Sequence, residues 1–165
     1  MHNCLVGSEM CIRDRILAAQ HARTNKVPYL GICLGLQIAT IEFCRNVLGM
    51  EGANSTEFED NPEHAAVVFM PEISKTHLGG TMRLGSRPTL WQHEGSTIRE
   101  LYGPGDAVDE RHRHRYEVNP DLIHSIESEG LVFVGKDESG QRCEIFELND
   151  HPYYVGVQFL SLIHI

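Results

Sequence analysis

The sequence predicts an α/β fold in which a central, mostly parallel sheet is flanked by helices. The first observation is the apolar run "VPYLGI" at residues 27–32, which is typical of a buried strand before a glycine-rich turn. The second is the helical period that follows, with Leu34, Ile38, Ile41 and Leu48 on one face and Gly49 as the expected C-cap. The third is a series of strand patterns later in the chain, after early helices.

The other elements follow from local patterns. Residues 16–25 have the pattern of the end of a helix, and residues 51–64 that of a polar, acidic loop. In "NPDLIHSIESEG", Asn119 is a predicted N-cap, Pro120 stands in the first turn and Gly130 follows the end of the helix. The predicted strands, bounded by turn residues, are 65–69, 78–92, 131–135, 142–148 and 153–159.

Composition limits the classes of function. The chain has 165 residues, of which 41% are hydrophobic and 22% charged, which is typical of a single globular domain. A net charge of −9 repels phosphate backbones and argues against a nucleic-acid partner. No apolar run reaches the roughly 20 residues of a membrane span. The five cysteines form no C-x-x-C pair, which favours a reducing cytoplasm over a disulfide framework or a zinc site.

The segment Gly31-Ile32-Cys33-Leu34-Gly35 has the G-x-C-x-G spacing of a nucleophile elbow. A sharp turn from strand to helix strains the nucleophile's backbone, and glycines two residues away on either side remove side chains that would collide there. The helix N-terminus is expected to favour the thiolate of Cys33. The N–H of Leu34 is expected to point to the position of a developing oxyanion. The alternative is that Cys33 is a small packing residue in a tight turn.

Segment 110–118, "ERHRHRYEV", has two possible interpretations. As a strand it would alternate, with these side chains on opposite faces: Arg111, Arg113 and Arg115 on one, and His112, His114 and Tyr116 on the other. Two histidines two residues apart could bind a metal, but no cysteine or acidic residue follows at a suitable spacing, so no metal site is expected. Arg111 and Arg113 are expected to form a solvated face.

Five segments together resemble one family, the glutamine amidotransferase domain of CTP synthase. They are "PYLGICLGLQIATIEFCRNVLG", "ANSTEF", "GGTMRLG", "ERHRHRYEVNP" and "HPYYVGVQF", and the resemblance runs from about residue 16 to residue 159. The G-x-C-x-G-x-Q pattern is common to the class I, or triad, amidotransferases. "ANSTEF" and "ERHRHRYEVN" are narrower and point to CTP synthase.

The resemblance implies that Cys33 is the nucleophile of glutamine hydrolysis in a Cys-His-Glu triad. It also implies that glutamine is held by the segment Leu34-Gly35-Leu36-Gln37 together with Glu57 and Arg115. The charges fit this reading, since Glu57 suits the substrate ammonium and Arg115 its carboxylate. Gln37 lies one helical turn beyond Cys33, on the same face as the thiol.

The resemblance further implies a cytoplasmic enzyme whose released ammonia passes to a synthetase domain of the same polypeptide. That domain uses ATP and Mg²⁺ to aminate UTP to CTP, and the family implies GTP activation and a homotetramer. No cofactor is expected in the amidotransferase domain itself.

Both ends differ from the family. In the family a His-Pro-Glu segment with the general base directly follows "VGVQF", whereas here "LSLIHI" follows and His164 has no acidic residue after it. Residues 1–15 do not resemble the family's glycine-rich oxyanion loop. We therefore expect residues 1–15 and 160–165 to be non-native, adapter-like additions around a partial domain at 16–159, and the chain to be inactive.

Two other functions remain open from the sequence alone. One is another class I amidotransferase or a cysteine hydrolase that shares the elbow. The other is a glutamine-binding module that has lost its catalytic base.

Overall fold

The computed structural model describes residues 3–71 and 82–160 of the chain. Within them, the helices are α1 (Asn3–Asn25), α2 (Leu34–Asn46), α3 (Thr97–Tyr102) and α4 (Ile123–Ser128), with a 3-10 turn at Pro120–Leu122. The strands are β1 (Tyr29–Ile32), β2 (Asn54–Ser55), β3 (Ala65–Phe69), β4 (Arg83–Trp91), β5 (Ala107–His114), β6 (Tyr116–Val118), β7 (Leu131–Lys136), β8 (Cys143–Leu148) and β9 (Tyr154–Val157). The predicted α/β class is confirmed.

The main sheet is mixed, which corrects the expectation of a mostly parallel sheet. Its order is β1-β9-β8-β7-β4-β5, and of its described pairs only β1 with β9 runs parallel. The physical reason lies in the connections. Short turns join β7 to β8 and β8 to β9, and a short turn can only reverse the chain, whereas parallel strands need a long crossover.

Helix α2 lies at the centre of the core, between the sheet and α1. Nine consecutive residues of α2, from Leu36 to Cys44, are buried. An ion pair inside this layer joins the helices, since Arg23 of α1 donates two hydrogen bonds of 2.9 and 2.8 Å to the fully buried Glu42 carboxylate of α2. Such a bidentate contact fixes the angle between the helices, because both partners are planar and desolvated.

A second, three-stranded sheet in the order β2-β3-β6 packs beside α2. It contains β2, inside the segment predicted to be an acidic loop. Strands β5 and β6 belong to different sheets and are separated only by Arg115. The single predicted strand at 110–118 is therefore interrupted at Arg115, because the chain there passes from one sheet to the other.

The helix ends agree only in part with the sequence prediction. Asn119 caps as predicted, since its side-chain oxygen accepts from the N–H of Asp121. Helix α2, however, ends earlier than predicted, with Val47 as its C-cap, while Gly49 lies beyond it with φ of +68°. The N–H of Val47 already bonds to the carbonyl of Phe43, so the helix is closed before the glycine. Helix α3 was not predicted.

The first helix begins at Asn3, so it continues through most of the segment expected to be non-native, and Ile12 packs against the core. The non-native origin of residues 1–15 stays a prediction. Part of the predicted strand 78–92 and His164 lie outside the described residues. None of the described helices has the length and apolar character needed to cross a bilayer.

Candidate active site at the cysteine elbow

Cys33 occupies the sharp turn between β1 and α2. Its backbone has φ of +52° and ψ of −103°, a region that non-glycine residues rarely adopt and that costs roughly 1–3 kcal/mol. The turn is held on both sides, since the N–H of Cys33 donates to Val157 of β9 at 2.7 Å and its carbonyl accepts from Leu36 at 3.1 Å. The sequence spacing therefore predicts the strained elbow correctly.

The two elbow glycines have different roles. A Cβ atom on Gly31 would lie 2.7 Å from the carbonyl carbon of Gly35 and 2.8 Å from the ring of Tyr29, so no side chain fits there. A Cβ on Gly35 would meet only the Tyr29 hydroxyl, at 3.8 Å. The expectation that both glycines remove a collision is thus correct for Gly31 and wrong for Gly35. The backbone of Gly35 is instead fixed through its carbonyl, which accepts from the Tyr29 hydroxyl at 2.8 Å.

The sulfur of Cys33 is partly buried, and this burial raises the pKa of the thiol. The nearby Glu57 charge raises it further, while the N–H of Leu34 and the side chain of Gln158 lower it. The expected preference of the helix N-terminus for the thiolate is therefore present but outweighed. The helix does supply a donor at the sulfur, but removal of water from the thiolate is the larger effect.

A cavity of about 260 Å³ opens at Cys33. Its lining residues come from the elbow, from the loop after β2 and from the junction of β5 and β6, and they are Cys33, Leu34, Gln37, Glu57, Phe58, Met82, Arg113, His114, Arg115 and Tyr116. Five of the site residues predicted from the sequence are thereby brought together, namely Cys33, Leu34, Gln37, Glu57 and Arg115. Gly35 and Leu36 do not line the cavity.

The side chain of Leu36 is fully buried in the hydrophobic core, so its predicted part in holding substrate stays a prediction for its backbone alone. Gln37 lies in the wall of the cavity but is 3% exposed. Its amide nitrogen donates to the carbonyl of Tyr116 at 2.9 Å and to the side-chain oxygen of Gln158 at 3.3 Å. Both amide hydrogens of Gln37 are therefore used within the protein.

Glu57 and Arg115 place opposite charges on the exposed part of the cavity wall. The N–H of Glu57 donates to the Ser55 hydroxyl at 3.1 Å, which fixes the turn that carries it. Partial burial raises the pKa of the Glu57 carboxyl, and the positive charge of Arg115 opposes this. The carbonyl of Arg115 accepts from Met70 at 2.9 Å, so the chain is anchored where it passes between the sheets.

The two histidines of the 110–118 segment point inward, while Arg111 and Arg113 are exposed as predicted. Nδ1 of His112 lies 2.9 Å from Nε2 of His114, a distance at which one ring must accept from the other. This pair lies between two buried carboxylates with arginine partners, and the contacts are His112–Glu144 at 3.8 Å, His114–Glu117 at 3.8 Å, Arg83–Glu144 at 2.7 Å and Arg142–Glu117 at 2.7 Å. No group of three metal-binding side chains occurs among residues 3–71 and 82–160.

The buried imidazole of His112 predicts an acid-sensitive contribution to stability. Burial, followed by the charges of His114 and Arg83, lowers the pKa of His112 to about 3. Between pH 6.5 and 3 the unfolded chain gains a proton at this position and the folded chain does not, so stability falls as the pH falls. Burial raises the pKa of Glu117 to about 7, so the contribution of Glu117 to stability changes with pH in the opposite direction and rises as the pH falls.

We therefore expect the effect of His112 to appear as a difference between two proteins. From pH 7 to pH 5, the free energy of unfolding should fall by about 2 kcal/mol more in the unmodified chain than in His112→Gln. Urea unfolding at the two pH values measures both changes. Equal changes in the two proteins would mean that His112 is not held neutral by the fold.

The position directly after "VGVQF" is occupied by Leu160, whose N–H donates to the carbonyl of Arg111 at 2.9 Å. In the described part of the chain, the side chain that hydrogen-bonds to the Cys33 sulfur is Gln158, at 3.9 Å. Gln158 is not among the site residues predicted from the sequence. The available signal was its position as a polar residue at the end of the apolar run "YYVGVQF".

The elbow cysteine, the adjoining cavity and the mixed sheet behind them define a class of protein. The chain belongs to the class I glutamine amidotransferases, because residues 6–159 match the family described as "Glutamine amidotransferase class-I". Within that family it is similar to CTP synthases. It is 60% identical over 154 residues to CTP synthase 2 of Saccharomyces cerevisiae (strain ATCC 204508 / S288c), a match that covers 90% of this chain and 27% of that protein.

Other relatives agree with this placement. CTP synthase of Dictyostelium discoideum is 58% identical over 152 residues, again 90% of this chain and 27% of that protein. The solved "Trypanosoma brucei CTPS - glutaminase domain with bound acivicin" has a TM-score of 0.81 and 35% identity, covering 90% of this chain and 57% of that one. The chain spans about a quarter of the length of the curated relatives that it matches.

Proposed function

We propose that this chain binds L-glutamine in the cavity at the elbow and forms the glutamine-hydrolysing part of a CTP synthase. The observation that carries the proposal is the cavity itself, because it joins a strained cysteine to the carboxylate of Glu57 and to the guanidinium groups of Arg113 and Arg115. A free amino acid needs one partner of each charge. The similarity to CTP synthases over 90% of the chain supports the choice of substrate.

In this proposal Cys33 attacks the side-chain amide carbon of glutamine. The thiol gives up its proton, the sulfur–carbon bond forms, and the carbonyl oxygen becomes an oxyanion near the N–H of Leu34. The oxyanion then collapses, the carbon–nitrogen bond breaks, and the amide nitrogen gains a proton and leaves as ammonia. Water then hydrolyses the thioester to glutamate. Glu57 holds the substrate ammonium and Arg115 its carboxylate, while Leu34 and Gln37 line the wall.

The remaining parts of the reaction belong to the rest of a CTP synthase. The proposed route passes ammonia to a synthetase domain that binds ATP, Mg²⁺ and UTP, with GTP as activator, in a cytoplasmic homotetramer. The proposal requires no cofactor in the amidotransferase domain, and its partners are glutamine and the synthetase domain.

A second candidate is a glutamine-binding module without hydrolytic activity. Two observations favour it for the chain as it stands: burial keeps the pKa of the Cys33 thiol high, and Leu160 occupies the position where the resemblance places the base. In this alternative the cavity still binds L-glutamine, so binding and turnover must be measured separately.

Replacement of Arg115 by alanine tests the binding site. We expect Arg115→Ala to weaken L-glutamine binding at least tenfold, because a charge-assisted hydrogen bond contributes about 1.5–3 kcal/mol. Arg111→Ala is the matched control, since Arg111 is exposed on the same segment but does not line the cavity. Isothermal titration calorimetry measures both affinities.

Glu57→Ala should weaken binding in the same way at the ammonium end. If Arg115→Ala and Glu57→Ala both bind L-glutamine as tightly as Arg111→Ala does, these two side chains do not hold the substrate.

A further inference from the structure

Gln158 is a buried polar residue whose side chain reaches the Cys33 sulfur. It follows β9 directly and is fully buried. Its backbone N–H donates to the carbonyl of Glu144 on β8 at 2.8 Å, so the residue is fixed on the sheet. The side chain extends from the sheet toward the elbow and touches both Gln37 and Cys33.

The hydrogen bonds determine which end of each amide faces which partner. The carbonyl of Tyr116 can only accept, so the atom of Gln37 that lies 2.9 Å from it is the amide nitrogen. The second hydrogen of that nitrogen is directed to Gln158 at 3.3 Å, and the atom that receives it must be an oxygen. The other end of the Gln158 amide, facing the sulfur at 3.9 Å, is therefore the nitrogen.

A nitrogen donor at this position distinguishes between the two forms of the cysteine. An amide N–H donates weakly to a neutral thiol and strongly to a thiolate, because a hydrogen bond to a charged group is stronger. The sulfur is partly buried, so the protein's own donors replace part of the water that would solvate a thiolate. The Leu34 N–H acts on the sulfur from the helix side and Gln158 from the sheet side.

We propose that Gln158 is a positioning residue that holds the Cys33 sulfur and donates a hydrogen bond to its thiolate. The carbonyl of Tyr116, a residue of the cavity wall, orients the Gln37 amide by a hydrogen bond. The Gln37 amide in turn orients the amide of Gln158. These hydrogen bonds from Tyr116 through Gln37 to Gln158 form a relay that links the wall of the cavity to the nucleophile. The inference concerns the state of the thiol and holds whether or not the proposed substrate is correct.

The test is the pH dependence of Cys33 alkylation by iodoacetamide in the full 165-residue chain, measured for each cysteine peptide by mass spectrometry. Gln158→Glu keeps the shape of the side chain but replaces the donor with an acceptor. We expect it to move the alkylation profile of Cys33 upward by at least one pH unit, a tenfold slower reaction at any pH below the midpoint. Gln158→Leu should move it in the same direction by less.

The controls separate this effect from a loss of structure. Gln92→Glu makes the same chemical change at an exposed residue and should leave the Cys33 profile unchanged. Cys11 is exposed and should react alike in every variant. Unfolding would expose the buried Cys44 to the reagent and would lower the Cys33 midpoint toward that of a free thiol, which is the opposite of the expected shift.

Gln37→Leu tests the relay separately, since it removes the donor that orients Gln158 but leaves the Gln158 side chain in place. It should also shift the Cys33 profile upward. Profiles of Gln158→Glu and Gln158→Leu that superimpose on that of the unmodified chain, or that move downward, overturn the proposal. A shift in the Gln158 variants without one in Gln37→Leu overturns the role of Gln37.

Discussion

Cys33→Ala is expected to abolish glutamine-dependent CTP formation in a full-length enzyme that carries this domain, while ammonia-dependent formation continues at the unmodified rate. The physical reason is that the thiol acts only in the release of ammonia from glutamine. Amination of UTP would take place in the synthetase domain, which receives ammonia from either source. Assays of CTP formation with glutamine and with ammonium as nitrogen donors measure both rates.

Ser125→Ala provides the control, because Ser125 is exposed and outside the cavity, so its removal should change neither rate. A variant Cys33→Ala that loses both activities together would show that Cys33 is needed for the structure of the enzyme. Retention of the glutamine-dependent rate would exclude Cys33 as the nucleophile.

The second expectation is that the 165-residue chain releases no measurable glutamate from glutamine. Burial raises the pKa of the Cys33 thiol, and the amide nitrogen that leaves as ammonia must gain a proton. Proton transfer by a positioned side chain typically contributes 10²–10⁴-fold to the rate. In the family the residue that performs both transfers is the histidine of the His-Pro-Glu segment, and this chain contains no such segment.

The matching experiment restores that segment at its family position, with the triple substitution Leu160→His, Ser161→Pro and Leu162→Glu. We expect glutamate release to rise from the detection limit to a measurable rate. Leu160→Ala, Ser161→Pro and Leu162→Glu together form the control, since only the imidazole is omitted. Turnover by the unmodified chain at a rate near that of the restored variant would show that another residue acts as the base.

The elbow was predictable because its physics is local. The spacing of Gly31, Cys33 and Gly35 between an apolar run and a helical period encodes a strained turn, and the structure has Cys33 at φ of +52°. Glu57 and Arg115 were pointed out by the resemblance to a known family, and the structure has both on the wall of the cavity. Their meeting in one cavity depends on the junction of two sheets, and no single segment of sequence encodes that junction.

The less local features were not predictable from the sequence. Arg115 interrupts what looked like one alternating strand, because β5 and β6 pair with different sheets. The side chain of Leu36 turns into the core although it lies in the segment that the resemblance assigns to substrate binding. The raised pKa of the Cys33 thiol depends on how much water the folded chain excludes, which a helix N-terminus alone does not indicate.

The most direct test of the account is whether L-glutamine protects Cys33 from alkylation in the 165-residue chain. Iodoacetamide is added at a fixed pH with increasing L-glutamine, and the alkylated cysteine peptides are quantified by mass spectrometry. The account predicts that the Cys33 rate falls with a saturable dependence on L-glutamine, while the Cys11 rate does not change. A Cys33 rate that is the same at every glutamine concentration would contradict the claim that the elbow cavity is a glutamine site.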